Sequence, residues 1–357
     1  MAGTSTRSAL ALVLLAPVCA DYLAAWDGST GDPLALARGL LWLAPLYGGP
    51  ALLVRELARR RQLGWRGIAL FAAAFGVVHA GLVDQALFSD AYRGVPTWDG
   101  WRQTTVVPIH GTSLDLVLTF VGGAAIYGVA APIAVIEALS AHPTEPWLGR
   151  GALGLVAVFS GAAALVAGTH VLHGRPPASA TEMAGAALAA GILAFAATRP
   201  TAPSAATTEP APSPGSAFVG ALAAATAVTL AADGWFSTLV GAALLGVAAW
   251  WTADAARARG WAARHAAAIG AGALASRALL AFTYVPLIGD VSPAAKLLHN
   301  LAMLGLVAAL TAATLGRDPS RATRRVRLTT GAARSADPLA WHAASAPGSR
   351  PASRPRS

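Results

Sequence analysis

The chain of 357 residues has one cysteine, Cys19, and one lysine, Lys296, and only 12% of its residues are charged. A single cysteine excludes an internal disulfide and a metal site built from several thiolates. Soluble globular chains carry about 25% charged residues, so water is not the solvent for most of this chain. HExxH, GxSxG, P-loop and Glu-Glu motifs are also lacking. We therefore expect no cofactor and no metal ion.

Apolar residues are abundant: hydrophobic types make up 55% of the chain, and the mean hydropathy is +0.54. A helix of about 20 apolar residues crosses a bilayer core, and it satisfies its own backbone there. The sequence therefore predicts an all-α, polytopic transmembrane bundle of about ten helices. The predicted spans are about 8–26, 34–54, 67–88, 111–138, 151–172, 180–198, 217–232, 235–253, 264–284 and 295–316.

Arginine is concentrated in two of the predicted short loops, 55–67 and 252–265, whereas loops 26–33, 89–103 and 288–293 carry mainly aspartate. Basic loops stay on the cytoplasmic side of a membrane. With ten helices, this rule places the N- and C-termini in the cytoplasm. We expect a multi-pass protein of the inner (cytoplasmic) membrane.

Two segments are predicted to lie outside the bilayer. Residues 199–216 hold five prolines and indicate a flexible cytoplasmic linker between two bundles, 1–198 and 217–316. Residues 317–357 carry nine arginines against two aspartates, which is +7 of the net charge of +9. They indicate a disordered basic cytoplasmic tail, whose expected partner is anionic lipid headgroups rather than nucleic acid.

The N-terminal segment allows two interpretations. Met1–Ala20 has a basic residue, an apolar run and small residues around Cys19, which also suits a cleaved signal peptide. We favour a retained first helix.

Polar side chains within the predicted helices are the candidates for function, because each costs about 2.5–3.5 kcal/mol on insertion scales. His79 and Arg277 lie deepest, and the others lie nearer the outer ends. A position in the headgroup region, with snorkelling, accounts for Asp21, Arg38, Asp115, Glu182 and Lys296. The predicted polar cavity, open to the outer side, is formed by His79, Asp84, Gln85, Asp115, Arg277, His299 and Asn300.

Helix geometry restricts the pairs that these residues can form. His79 and Asp84 are five residues apart, about 140° around an α-helix, so His79 must meet a residue of another helix. Arg277 is the natural partner of the acidic groups, either as an ion pair that locks helices together or as part of a cavity wall. His170 and His173 have a spacing that suits a metal, but an interfacial pair is the expected role.

Segments 46–60, 72–92, 131–139 and 146–150 resemble a family of uncharacterised multi-pass membrane proteins of actinobacteria, over about residues 21–150. The resemblance implies an inner-membrane protein and no particular activity. In that family an acidic pair usually stands where this chain has His79 and Ala80, so the resemblance does not imply acid-dependent chemistry here.

Three functional classes fit these features. The first, which we favour, is a transporter-like or permease-like protein that handles a small solute. Pro45 and Pro50 around Gly48 interrupt the second helix, and Pro132 lies in the fourth, as in transporters with broken helices. Close packing explains those glycines equally well. The alternatives are an intramembrane enzyme, which is less favoured, and a non-catalytic scaffold or assembly factor.

Overall fold

The computed structural model describes residues 2–108, 111–172, 177–199, 206–231 and 233–316. The predicted tail, 317–357, lies outside the described residues. The α-helices are α1 Ala2–Ala20, α2 Pro33–Leu43, α3 Gly49–Arg60, α4 Gly64–Val77, α5 Trp98–Gln103, α6 Leu114–Leu116, α7 Ala131–Leu139, α8 Arg150–Leu172, α9 Ala180–Thr198, α10 Pro214–Thr229, α11 Trp235–Ala255, α12 Ala263–Leu280 and α13 Pro293–Leu315. A two-stranded antiparallel hairpin pairs β1 Val106–Val107 with β2 Thr112–Ser113.

Within the described ranges, seven helical stretches are long and apolar enough to cross a membrane. They are Ser5–Ala24, Gly64–Val83, Leu114–Leu139, Arg150–His170, Ala180–Thr198, Trp235–Ala255 and Pro293–Leu315. The other three predicted spans are also helical, in α2 with α3, in α10 and in α12, without reaching that length or hydropathy. The all-α class is confirmed, and the apolar helices suit a membrane-embedded protein.

Several helices contain π-helical turns, in which backbone hydrogen bonds run from residue i to i+5. These turns are Ala44–Gly48 between α2 and α3, Val78–Val83 at the end of α4, and Val117–Gly122 and Ala124–Ala130 between α6 and α7. Prolines 45, 50 and 132 lie in or just after such turns. Proline lacks an N–H donor and clashes with the preceding turn of an α-helix, and a wider turn relieves both effects. The second helix is therefore widened at the predicted interruption without being broken.

Small residues let these π turns touch neighbouring backbones. A Cβ atom on Gly48 would lie 2.0 Å from the carbonyl oxygen of Val13 in α1, and one on Gly76 would lie 2.6 Å from that of Val121. Only glycine permits such an approach between helices. As a result, α1 and α4 each lie against a π turn.

The main hydrophobic core joins helices from both halves of the chain. Its largest fully buried apolar side chains are Leu12, Leu23, Leu52, Ile68, Ile133 and Leu274. Helix α12 is buried along most of its length and packs on α7, α10 and α13. Met1–Leu315 accordingly forms one compact unit. Helix α1 contributes Leu12 to this core.

The described part of the predicted linker, 206–213, is bonded to the loop between α11 and α12. The N–H groups of Thr207 and Ala211 donate to the carbonyls of Arg257 and Arg259, each over 3.0 Å. Arg259 N–H donates in turn to the carbonyl of Glu209 over 2.9 Å. This part of the linker is therefore tied to the helical unit.

The two ends of the bundle carry different loops. The Asp-loop end comprises loops 21–32, 84–97 and 281–292, and the backbone N–H of Leu287 joins two of them by donating to the carbonyl of Trp26 over 2.7 Å. The Arg-loop end comprises loops 61–63, 140–149 and 256–262.

Candidate functional site

A cavity of about 630 Å³ opens among the helices toward the Asp-loop end. Its wall is drawn from α1, α2, α8, α12, the π turns and the loops 21–32 and 84–97. The ionisable side chains on this wall, apart from tyrosines, are Asp21, Asp27, His79, Asp84, Arg93, His170 and Arg277.

His79 lies in the π turn Val78–Val83 and is only 7% exposed. Its ring is tilted against Tyr47 of the π turn Ala44–Gly48, with 4.6 Å between ring centroids, and lies 5.7 Å from the ring of Phe75. Its Nε2 atom is buried and has no hydrogen-bond partner among the described residues. An uncompensated buried polar atom is unusual in a folded protein. The His79 side chain also lines the cavity, which has room for water or a ligand.

Asp84 lines the same cavity as His79, although an α-helix would turn the two residues about 140° apart. The reason is the π turn, in which Asp84 N–H donates to the carbonyl of His79 over 2.8 Å, an i to i+5 bond. The Asp84 carboxylate accepts a hydrogen bond from the phenol of Tyr92 over 2.5 Å, and Arg93 Nη2 lies 3.9 Å from it. Asp84 is thus held by the loop that follows it.

Tyr92 is a stable donor to this carboxylate. Burial raises the pKa of Tyr92 well above its usual value, and the negative charge of Asp84 raises it further. The phenol therefore keeps its proton at neutral pH and continues to donate to Asp84. Arg93, over the Trp26 ring at 5.1 Å, covers this pair from the solvent side.

Arg277 enters the cavity wall from α12. Its Nη2 donates to the carbonyl of Ala20 over 2.8 Å, and its guanidinium lies 4.5 Å from the ring centre of Tyr127. The buried Nε has no hydrogen-bond partner, and no carboxylate of the described residues lies within ion-pair distance. The Asp–Arg277 ion pair considered from the sequence is therefore not formed in this part of the chain. Asp21, on the same wall, instead accepts a hydrogen bond from Trp26 Nε1 over 2.8 Å.

Two of the other predicted cavity residues, Gln85 and Asp115, do not line the cavity. Gln85 Oε1 accepts from the backbone N–H of Ala178 over 2.8 Å. Asp115 accepts from Trp101 Nε1 over 2.5 Å and from the hydroxyl of Thr238 over 3.4 Å. Both side chains therefore hold neighbouring segments together.

His299 and Asn300 likewise lie away from the cavity wall. His299 Nδ1 accepts from the N–H of Gly31 over 3.3 Å, so its Nε2, 2.9 Å from the carbonyl of Tyr22, is the donor in that contact. Asn300 donates to the carbonyl of Ala281 over 3.0 Å, and its buried Oδ1 has no partner among the described residues. Of the seven predicted residues, three line one cavity in the structure: His79, Asp84 and Arg277. Each of the other four is hydrogen-bonded to another segment of the chain.

Most of the aromatic side chains on the cavity wall were not predicted from the sequence. Tyr47, Tyr92 and Trp42 line the cavity, and Trp42 meets the ring of His170 edge-on at 6.5 Å. Asp21 and His170, interpreted as interfacial residues, also lie on this wall. The position of Tyr47 between Pro45 and Gly48 was the one sequence feature that could have indicated it. Its contact with His79 depends on the π turn Ala44–Gly48.

A second polar cluster, the Arg-loop network, consists of Arg55, Glu56, Arg59, Arg60, Glu137 and Trp147. Arg55 is fully buried; it donates to Glu56 over 2.7 Å and to Glu137 over 3.1 Å, and its guanidinium lies 3.5 Å from the ring centre of Trp147. Glu56 also accepts from the backbone N–H of Trp147 over 2.8 Å, and Glu137 from Arg59 over 2.5 and 2.7 Å. This network joins α3, α7 and loop 140–149.

Metal binding has no support in the described ranges, where no three His, Cys, Asp or Glu side chains are grouped as metal ligands. Of the spaced histidine pair, His170 lies on the cavity wall and His173 lies outside the described residues. Comparison with protein-family models, curated proteins and solved structures finds no match to this chain.

Proposed function

We propose that this chain is a polytopic protein of the inner membrane with about ten crossings and both termini in the cytoplasm, and that it binds a small solute in the cavity. The arginines of loops 61–63 and 256–262 support a cytoplasmic Arg-loop end. The cavity then opens toward the outer side. Its role is transporter-like or permease-like.

The observation that carries this proposal is His79, which lines a cavity of about 630 Å³ and whose buried Nε2 has no hydrogen-bond partner among the described residues. Ligand sites typically enclose about 300–1,000 Å³ and combine apolar walls with a few polar groups. The cavity also lies among π turns, which often mark functional sites. Turns that depart from α-helical geometry within membrane helices are typical of transporter binding sites.

The intramembrane enzyme has less support. His79 has no hydrogen-bonded nucleophile or carboxylate among the described residues, and Asp84 is held by Tyr92. Catalysis by a general base needs such a partner within hydrogen-bond reach of the reacting group. A pure scaffold would need no cavity with an unsatisfied polar wall.

The resemblance to the actinobacterial membrane family is also retained as a proposal. Three of the segments that carry it, 46–60, 131–139 and 146–150, meet in the Arg-loop network through Arg55, Glu137 and Trp147. The fourth, 72–92, forms the wall around His79 and Asp84. Residues distributed in this way suit one folding unit with one site.

Solute binding is tested on the full-length protein in lipid nanodiscs. The midpoint of thermal unfolding is measured with and without amino acids, organic acids, amines, sugars and nucleosides, for the wild type, His79→Ala and His142→Ala. His142 is a matched control because it lies in loop 140–149, away from the cavity. We expect at least one solute class to stabilise the wild type and His142→Ala but not His79→Ala. An equal response of all three proteins would contradict binding at His79.

The membrane topology is tested with reporter fusions. A reporter enzyme that works only in the cytoplasm is expected to be active when it is inserted in 199–216 or placed after residue 316. A reporter enzyme that works only outside the cytoplasm is expected to be active when it is inserted in loop 84–97. A reporter in 199–216 that is active only outside the cell would refute the topology.

A further inference from the structure

The charged groups on the cavity wall differ in how far the protein itself compensates them. Asp84 has the phenol of Tyr92 and the nearby Arg93, and Asp27 accepts two hydrogen bonds from Ser29 over 2.6 and 2.9 Å. Asp21 accepts from Trp26. Each carboxylate therefore has at least one donor within the protein.

Arg277 lacks the corresponding compensation. Of its N–H groups, one on Nη2 donates to a backbone carbonyl, while Nε is buried without an acceptor, and no carboxylate of the described part of the chain lies within 4.0 Å. A guanidinium stays charged at any physiological pH, and its planar N–H groups match a carboxylate or phosphate. His79 Nε2, also without a partner, lies on the same wall.

We propose that the solute carries an anionic group, carboxylate or phosphate, that binds Arg277, and that its apolar body lies against the aromatic wall. This inference rests on the proposed function and names the chemical class of its solute. Among the described residues, the Arg277 guanidinium has one hydrogen bond, to the carbonyl of Ala20, and no carboxylate within ion-pair distance. A bound anion would place a counter-charge and hydrogen-bond acceptors in direct contact with the guanidinium.

The apolar body has a surface of matching chemistry. Tyr47, Trp42, Trp98 and Phe120 line the cavity. Trp42 and His170 meet at its edge, and both side chains are exposed on helices α2 and α8. In a membrane protein this edge faces lipid, so an anionic group can reach the cavity on a water-soluble acid or on an amphiphile from the bilayer.

The charge preference is tested first on the wild-type protein in phosphatidylcholine nanodiscs. Octanoate, octylamine and 1-octanol share one chain length and differ in charge. Their binding is followed by tryptophan fluorescence, because Trp26, Trp42, Trp98 and Trp101 line the cavity. We expect saturable binding of octanoate at least tenfold tighter than that of the other two. Equal or tighter binding of octylamine or octanol would overturn the anionic assignment.

The role of Arg277 is tested with Arg277→Gln, with Arg102→Gln as the matched control. Arg102 lies near the same end of the bundle but bonds to Asp99 and the carbonyl of Gly111 and does not line the cavity. We expect Arg277→Gln to weaken octanoate binding at least tenfold and Arg102→Gln to leave it within twofold. Unchanged binding in a folded Arg277→Gln protein would overturn the assignment. If this variant does not fold, the wild-type comparison of the three probes decides the question.

Two further measurements distinguish a failure of the anionic assignment from a failure of solute binding, and a water-soluble acid from a lipid headgroup. If octanol binds as well as octanoate and His79→Ala abolishes both, the cavity binds a solute but the anionic assignment is wrong. If no probe binds and the solute panel stabilises nothing, both proposals fail.

Saturable quenching by benzoate indicates a soluble acid as the source, whereas quenching by phosphatidylglycerol in the nanodisc, without an effect of benzoate, indicates a lipid headgroup. Either of these last results supports an anionic group.

Discussion

The Arg-loop network and the Asp-loop cavity both place charged side chains in the interior, yet they differ in how completely these are partnered. In the network, the two glutamates accept bonds from three arginines and from backbone N–H groups of loop 140–149, and among the buried side-chain atoms of its members only Arg60 Nε has no partner in the described part of the chain. In the cavity, His79 Nε2 and Arg277 Nε have no partner among the described residues.

This difference separates a structural role from a binding role. A buried ionic cluster is tolerated only when its hydrogen bonds are satisfied, and a satisfied cluster holds segments in one arrangement. Unsatisfied groups beside an open volume cost stability unless something else binds them. Variants that remove either set of contacts therefore test the contrast.

Arg55→Ala is expected to destabilise the protein most, by about 3–5 kcal/mol, because it leaves Glu56 and Glu137 buried without their shared cation. The free energy of unfolding is measured by denaturant titration in mixed micelles. Arg61→Ala, at an exposed position just after α3, is the control and should change stability by less than about 0.5 kcal/mol. Equal effects of the two variants would mean that the network is not a structural lock.

Gly48→Ala is expected to cost about 3 kcal/mol, because the new Cβ would meet the backbone of Val13 in α1, which cannot move aside as a side chain can. Gly122→Ala, at a glycine of another π turn with nothing within 4 Å, is the control and should be neutral or slightly stabilising. The measurement is again denaturant unfolding. A tolerated Gly48→Ala would contradict the close approach of α1 to the cavity wall.

Tyr92→Phe is expected to cost about 2 kcal/mol, because it removes a hydrogen bond to the charged carboxylate of Asp84. Tyr22→Phe removes a bond to the neutral carbonyl of Leu36 and should cost less, about 1 kcal/mol. Hydrogen exchange of the backbone in loop 84–97 should accelerate only in Tyr92→Phe. Unchanged exchange there would show that Asp84 does not hold the loop.

His79→Phe is expected to have the smallest effect on stability, within about 1 kcal/mol of the wild type, because it keeps the ring contacts with Tyr47 and removes an unsatisfied nitrogen. Solute-dependent stabilisation should nevertheless be lost. His299→Phe is the contrasting control, since both of its ring nitrogens are bonded, and should cost about 2 kcal/mol. If His79→Phe were the more destabilising variant, His79 would be structural.

The site could be predicted from the sequence only where burial alone made a residue conspicuous. His79 and Arg277 were identified because an ionisable side chain deep in an apolar helix carries a large free-energy cost and is therefore a candidate for function. Asp115, Gln85, His299 and Asn300 show the same signal, but their partners lie on other segments; His299, for example, bonds to Tyr22 across 277 positions of sequence. A sequence pattern does not distinguish a polar residue with such a partner from one without.

Composition and hydropathy were enough to predict the helical class, because a backbone in hydrocarbon must satisfy its own hydrogen bonds within a helix. Which polar residues face one another depends on how the helices pack, and composition does not contain that information. A π turn adds a residue to a helical turn and brings His79 and Asp84 to one wall, against the spacing of an α-helix. The close approach of α1 to Gly48, and of Arg277 to Ala20 of that same helix, then completes the cavity.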